Sequence, residues 1–423
     1  FLTFLIAGGD HEHVTCLDLL IEGKVVRSAG GRNNDDLAPV TWDLSGFEGK
    51  SAKVRISDLA SGEWGHVNVD SIVLTDEPAH PAVVEEPLYQ EAFRPQFHFT
   101  ARQWTVDRLE PGPKQEGWLN DLNGLVYYEG EWHLFAQRWW KCWLHAVSTD
   151  LIHWRELEPA FYEESLDSGT QSGTCVIDYG NTSGLSPDGK NPPMVAFWTR
   201  KDSPSHGISY SLDRGRTWTI YPGNPVLVYP ERDPKVFWHE KTKRWVMMLY
   251  GHDAYHVLTS GNLLDWKDEE TSVPKSFECP DLFELPVDCD AGDLRWVLVR
   301  GDGKYSTGSF DGRAFKEDSE QRPCDVGPNF YATQTWENTS TGDGRRIQVA
   351  WMRGGKYPGM PFNQQVSFPC ELTLRKTSAG ILLFRQPIAE ISKLHDKERK
   401  WTKQVLASGA SLDLQPGGDL LRI

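Results

Sequence analysis

Long apolar runs are missing from this chain. No stretch approaches the roughly 18 consecutive apolar residues that a membrane-spanning helix needs, so helical membrane insertion is excluded. Paired cysteines are missing too. Cys16, Cys142, Cys175, Cys279, Cys289, Cys324 and Cys370 are seven, an odd number with no CxxC pair, and signal neither a zinc site nor a disulfide framework. Buried free thiols are the expectation. Positive charge is in deficit. Lys and Arg total 44 against 60 Asp and Glu, a net charge of −16, which repels phosphate backbones and anionic membrane surfaces. Nucleic acid is therefore excluded as a partner, and a neutral small molecule is compatible. The opening stretch FLTFLIAGG lacks a basic flank and an initiator Met, so it reads as a strand and not as a signal segment. A start at Phe1 reads as a processed chain or a fragment, with any export signal out of view. The sequons at Asn181 and Asn338 decide nothing by themselves.

Aromatic residues are plentiful. Trp alone accounts for 18 positions, which leaves two readings open: packing between many short strands, or stacking platforms for sugar rings. Residues 1–78 read as an all-β unit of sandwich type. LDLLIEGKVVRSA is strand, Glu22-Gly23 turn, strand. SAKVRIS is expected to turn Ala52, Val54 and Ile56 inward, and Val67 and Val69 alternate in the next strand. His11-Glu12-His13 fits no strong metal-ligand spacing and reads as a solvated loop. Residues 79–92 lie in a polar, Pro-rich linker.

From residue 93 to residue 388 the chain repeats at intervals of about fifty residues. Five segments set a polar or charged residue before an apolar strand: NDLNGLVYY, QSGTCVID, RDPKVFW, ECPDLFEL and NFYATQTW. Second strands follow as EWHLFAQ, MVAFWTR, RWVMMLY, RWVLVRG and RIQVAWM. Three units then carry a serine, a polar turn and a tryptophan: Trp154, Trp218 and Trp266. Several short strands in a period of 40–50 residues predict a β-propeller, here of five blades. The starts of innermost strands face one channel mouth. Asp121, Asp233 and Glu278 stand at three of those starts. Acids gathered there repel one another, which raises at least one pKa. A proton-bearing carboxyl beside an ionised one is what glycoside cleavage requires. Taken singly, each acid also fits an ordinary turn or cap.

The motif order resembles glycoside hydrolase family 32, the β-fructosidases that include invertases, inulinases and levanases. WLNDLNG, Gln137, HAVSTDLIHW, QSGT, SLDRGRTW, ERDPKVFW, ECPDLFEL, NFYATQTW, VAWMRGG and VSFPCELTLR carry it in order over about 290 residues. The resemblance implies Asp121 as nucleophile, Glu278 as general acid and base, and Asp233 as the transition-state stabiliser holding fructose hydroxyls. It implies sugar contacts from Asn120, Gln137, Ser172 and Arg232, with Trp143 and Trp351 as aromatic contacts, and neither metal nor cofactor. A retaining pair is expected to sit about 5–5.5 Å apart. The chain departs from the family pattern near the sugar. Leu122 replaces a proline, Gln171 an aromatic and Asn329 an aspartate, and RWWKCWLHAVS stands where a longer loop is usual. Trp139, Trp140 or Trp143 takes the role of the ring that stacks on the sugar, or none of them does.

The fold expected is all-β: an N-terminal β-sandwich module, a five-bladed β-propeller catalytic domain, and in residues 389–423 the first strands of an incomplete C-terminal β-sandwich. The function expected is retaining hydrolysis releasing β-D-fructofuranosyl units from levan, inulin or sucrose, with a carbohydrate as partner and a secreted or periplasmic bacterial setting. Fructosyl transfer and non-catalytic fructan binding are the rival readings.

Overall fold

The computed structural model describes the chain except residues 12, 32, 77–97, 102–118, 139–141, 161–168, 201–203, 340–341, 358–359, 361, 363, 396–399, 401–404, 406 and 413–423. The expected linker, Trp118, Trp139 and Trp140 lie outside the described residues. Among those described, regular structure is β-strand apart from short 3₁₀ turns. The chain divides into two compact units, Phe1–Leu88 and Tyr89–Ile423.

The first unit holds β1 (Leu2–Gly8), β2 (Thr15–Ile21), β3 (Lys24–Ala29), β4 (Asn34–Trp42), β5 (Ala52–Asp58) and β6 (Val67–Leu74). Two three-stranded sheets, β4-β1-β6 and β3-β2-β5, share a core built on Phe4, Ile6, Leu17, Leu19, Val40 and Trp42. Glu22 and Gly23 both take positive φ, 53° and 79°, which matches the twist of the β2–β3 hairpin. The inward reading of β5 needs correction. Val54 and Ile56 lie opposite Leu19 and Leu17 in register, so they share the core-facing side. They are nevertheless 40% and 50% exposed, and Ala52 is exposed as well. The reason is that β5 is an edge strand, beyond the reach of the facing sheet.

The second unit is a series of antiparallel meanders. The first is β7 (Leu122–Tyr128), β8 (Glu131–Arg138), β9 (Cys142–Ser148) and β10 (Trp154–Ala160). The second is β11 (Thr170–Ile177), β12 (Met194–Arg200) and β13 (Ser205–Ser211), edged by β14 (Thr219–Ile220) and β15 (Leu227–Val228). The third is β16 (Arg232–His239), β17 (Arg244–Gly251), β18 (Ala254–Ser260) and β19 (Lys267–Pro274). The fourth is β20 (Asp281–Val287), β21 (Asp290–Val299) and β22 (Lys304–Phe310), edged by β23 (Phe315–Glu317) and β24 (Arg322–Pro323). The fifth is β25 (Tyr331–Glu337), β26 (Ile347–Trp351), β27 (Cys370–Thr377) and β28 (Gly380–Pro387). The fifth returns to the first, because β25 runs parallel to β7 with Trp336 opposite Leu125.

The serine–turn–tryptophan repeat has a hydrogen-bond cause. Ser148, Ser211 and Ser260 each accept on Oγ from the backbone N–H two residues on, at 3.1, 3.3 and 3.1 Å. The indoles of Trp154, Trp218 and Trp266 each donate to the carbonyl three residues back, at 3.0, 3.1 and 3.0 Å. Each turn is thus tied at both ends, and the ring returns to the apolar layers between sheets.

Side chains bridge the first strands of all five meanders. Gln334 of β25 accepts from Gly124 N of β7 at 2.7 Å and donates to Gly173 O of β11 at 3.3 Å. Thr174 of β11 donates to Pro234 O of β16 and accepts from Val236 N at 3.2 Å. Lys235 of β16 meets Asp281 of β20 at 2.8 Å and Glu337 of β25 at 2.9 Å. Close approach makes glycine necessary at 124. Its φ is 91°, and a Cβ there would lie 2.0 Å from Cys175 N.

Beyond Pro387 the described residues contain no strand. Residues Ala389–Leu394 form a 3₁₀ helix where the start of a sandwich was expected. Ile388 and Ile391, one 3₁₀ turn apart, enter the apolar cluster around Trp154 and Trp336, and Glu390 pairs with Arg345 at 2.5 Å.

Lys235 and Asp281 are almost completely buried. Replacing Lys235 with Met removes the ammonium and leaves two carboxylates with less compensation. The expected loss is about 3–5 kcal/mol, read as a lower denaturant midpoint at unchanged slope. A loss below about 1 kcal/mol would mean that other contacts hold these strands together.

Candidate active site

Irregular backbone at the strand starts builds the site. In β7, β11, β16 and β25 the pairing slips by one residue: Leu122/Leu125, Thr170/Gly173, Arg232/Lys235 and Tyr331/Gln334 each advance three positions while the partner strand retreats two. Such a bulge bends a strand and re-aims its side chains. Asp233 and Ala332 occupy the second bulge position with φ of 63° and 47°. Ahead of β20, Glu278 and Cys279 have φ of 35° and 37°. Left-handed backbone at bulky non-glycine residues is strained and persists only where surroundings over-determine it. Here Tyr255 Oη donates to the carbonyls of Phe277 and Glu278 at 2.9 and 2.6 Å, and Gly301 N donates to the same two at 2.9 and 3.0 Å. The acids therefore do not share one register position. Asp121 precedes its bulge, Asp233 lies inside one, and Glu278 sits in the turn before β20.

Asn120, Asp121, Gln137 and Ser172 come together. Ser172 Oγ donates to Asp121 Oδ2 at 2.9 Å, and Gln137 Nε2 donates to the same oxygen at 3.2 Å and also to Ser172 Oγ. Asn120 donates to Gln137 Oε1 at 3.3 Å. Both donors reach Oδ2; among the described residues, none reaches Oδ1. Arg232, Asp233 and Glu278 form a second group. Arg232 Nη2 donates to Glu278 Oε1, while its Nη1 holds Glu231 at 2.8 Å. Asp233 Oδ2 accepts from Cys279 N at 3.1 Å, and Asp233 N donates to Thr199 Oγ1 at 3.3 Å.

The two groups share one electrostatic environment. Burial, then repulsion from Glu278, raises Asp121 to about 6, against the opposing pull of the Ser172 hydrogen bond, Arg353 and Arg232. Burial and the Asp121 charge raise Asp233 to about 7, opposed by the Cys279 N–H and Arg232. The elevation expected from crowding therefore falls on Asp121 and Asp233, with burial as its leading cause.

Tyr331 was not among the residues singled out from the sequence. Its hydroxyl donates to Glu278 Oε2, so Glu278 is held on both oxygens. Its place at the head of NFYATQTW, the strand-start position of the fifth repeat, was the available signal. Trp351 lies beside it with ring centroids 6.0 Å apart, and its indole donates to Gln364 at 2.9 Å. Trp143 does not reach the site and is corrected to a core residue. It is fully buried, donates to Gln171 O at 3.0 Å, and packs among Val126, Phe135, Ala196 and Trp198 between the first two meanders. Alternation along β9 turns its ring into that interface. A metal-like grouping appears elsewhere, in His13, Cys16 and Asp18 of the first unit. Asp18 is already engaged by Ser28 at 2.6 Å and Arg55 at 2.5 Å, so its charge is compensated. No helix among the described residues is long and apolar enough to cross a membrane.

The site is sheet-built and clusters carboxylates, amides and arginine, and comparison with known proteins gives its family. Residues 113–387 match the glycosyl hydrolases family 32 N-terminal domain. The chain is 37% identical over 374 residues to a levanase of Bacillus subtilis, covering 79% of this chain and 53% of the levanase. It is 34% identical to invertase 1 of Saccharomyces cerevisiae, covering 76% of this chain and 66% of the invertase. The structure of a β-fructofuranosidase from Schwanniomyces occidentalis complexed with fructosyl-erythritol superposes with a TM-score of 0.59 at 30% identity, covering 70% of this chain and 62% of that one. The chain belongs to glycoside hydrolase family 32. It spans about half the length of the levanase.

Proton linkage at Asp233 generates a test. Between the unfolded carboxylate value near pH 4 and about 7, the folded chain keeps a proton that the unfolded chain has lost. The stability this group contributes is full below about pH 4 and is lost as pH rises through 7. Asp233→Asn keeps the shape without the charge. It is expected to raise the melting temperature at about pH 8 and to raise it much less at about pH 4. Equal shifts at both pH values would rule out charge burial as the cause.

Proposed function

We propose that this chain is the catalytic part of a retaining β-fructofuranosidase that releases terminal β-D-fructofuranosyl units from levan, inulin or sucrose. The carrying observation is the unequal treatment of the carboxylates. Asp121 is held through one oxygen, with no donor among the described residues on the other, as a nucleophile requires, while Glu278 is gripped on both by Arg232 and Tyr331. In the first step Asp121 Oδ1 attacks the anomeric carbon. Glu278, in the general-acid role, passes a proton to the departing glycosidic oxygen as the bond from that oxygen to the anomeric carbon breaks, and a fructosyl ester forms on Asp121. In the second step Glu278 takes a proton from water, whose oxygen replaces Asp121 at the same carbon. Asp233, buried and fixed by the Cys279 N–H, holds ring hydroxyls as positive charge develops. Asn120, Gln137, Ser172 and Arg232 position the sugar and the acids, and Trp351 borders the site beside Tyr331.

The same reading makes the five meanders blades of one closed propeller. The parallel β7–β25 pairing and the bridges through Gln334, Thr174 and Lys235 support closure. Residues 1–78 are proposed to be a β-sandwich module and residues 93–388 the catalytic domain. The assignment requires the Asp121 and Glu278 carboxyls to stand about 5–5.5 Å apart, the spacing of a retaining pair.

Fructose release from sucrose, inulin and levan tests the activity, and leaving groups test the roles. Asp121→Asn and Glu278→Gln are each expected to lower kcat by several orders of magnitude on sugar substrates. A fructoside with an activated aryl leaving group needs little protonation. It is expected to restore fructosyl-enzyme formation in Glu278→Gln and not in Asp121→Asn or Asp233→Asn. Equal rescue of Asp121→Asn and Glu278→Gln would overturn the role assignment.

A further inference from the structure

Arg353 follows β26 in the segment Trp351-Met352-Arg353-Gly354-Gly355, and none of the roles above uses it. Its side chain is exposed. Elsewhere in the meanders, half-buried arginines pair with acids, as in Arg345–Glu390 and Arg385–Asp325. Arg353 has no carboxylate partner among the described residues. Its guanidinium instead lies 4.5 Å from the Tyr331 ring centroid and 6.0 Å from that of Trp351. This contact holds the group against aromatic rings, and no acceptor among the described residues takes its N–H donors. Its charge is felt at Asp121, where it favours the anion.

The position has a direction. Tyr331 donates through its hydroxyl to Glu278, and the same ring carries Arg353. Under the function proposed above, on which this inference rests, Glu278 delivers a proton to the departing oxygen. Arg353 is then linked through the Tyr331 ring to the group that serves the departing oxygen. A planar fork of donors, pre-ordered on two aromatic rings and lacking an internal acceptor, suits neighbouring hydroxyls of a neutral sugar. Little entropy is lost on binding, because the side chain is already held.

We propose that Arg353 is a specificity-determining residue that hydrogen-bonds hydroxyl groups of the sugar unit attached to the departing oxygen. It reads the leaving group and not the fructosyl unit. A substrate whose leaving group has no hydroxyls gains nothing from it. Arg353→Lys keeps the charge and loses the fork, which separates hydrogen bonding from the field at Asp121.

The test compares the chain with Arg353→Met and Arg353→Lys on levan, sucrose and an aryl β-fructofuranoside, with kcat/KM measured across pH. Arg353→Met is expected to lose about tenfold to a hundredfold in kcat/KM on the two sugar substrates, the scale of a lost hydrogen bond to a charged group. On the aryl fructoside the change is expected to stay within about twofold. Arg353→Lys is expected to show most of the loss on the sugars with an unmoved acid limb in the pH profile. A uniform loss on all three substrates, with the acid limb of Arg353→Met displaced upward, would assign Arg353 to the Asp121 field and overturn the proposal. So would wild-type rates in both variants. Absence of fructose release by the unmodified chain from every substrate would overturn the functional reading, and this inference with it.

Discussion

The Lys235 ammonium is the contact on which the rest of the second unit depends. It lies in β16, two residues after Asp233, and reaches Asp281 in β20 and Glu337 in β25. Asp281 is three residues past Glu278, and Glu337 is six past Tyr331. One buried cation thus ties together the strands that carry Arg232, Asp233 and Tyr331 and the strand that follows Glu278. Arg346 adds a second positive group at Glu337 at 3.2 Å, so the cluster holds two cations and two carboxylates. Burial makes the arrangement costly to break and costly to distort. The Gln334 and Thr174 bridges extend the same function to β7 and β11.

Rigid strands alone would not bring the acids together. Regular alternation sends every second side chain into a neighbouring sheet. Bulges near the starts of β7, β11, β16 and β25 break that alternation where the strands converge, and the left-handed residues at Asp233, Glu278 and Cys279 absorb the bend. Hydrogen bonds from Tyr255 and Gly301 hold the Glu278 turn in place. Local strain at the Glu278 turn is therefore resisted by contacts that play no direct part in the proposed chemistry.

Charge in the site is unbalanced by design. Three carboxylates face Arg232 and, at the rim, Arg353, with Glu231 drawing on Arg232 as well. The excess negative charge, acting with burial, lifts Asp121 and Asp233 towards neutrality. An environment of this kind favours a developing cation, which is the charge that the proposed fructosyl transition state carries.

Much of this was legible in the chain itself. The all-β character follows from alternation and turn residues, and Glu22-Gly23 marked its hairpin because few other pairs accept two positive φ angles. The five strand starts and the serine–turn–tryptophan repeat were visible because each is a local pattern with a local hydrogen-bond cause. The acids and amides of the site stood out through their motif order. What tertiary structure alone decided is of another kind. Trp143 became core and Trp351 a neighbour of the site, although sequence offered the same ring at both places, because only packing determines which face of a strand is covered. Val54 and Ile56 have the right alternation and remain exposed, because β5 is an edge. Tyr331 met Glu278 across 53 residues, and Arg353 settled on Tyr331 with no charged partner among the described residues. Such contacts depend on how separate strands converge, and no short-range pattern carries that information.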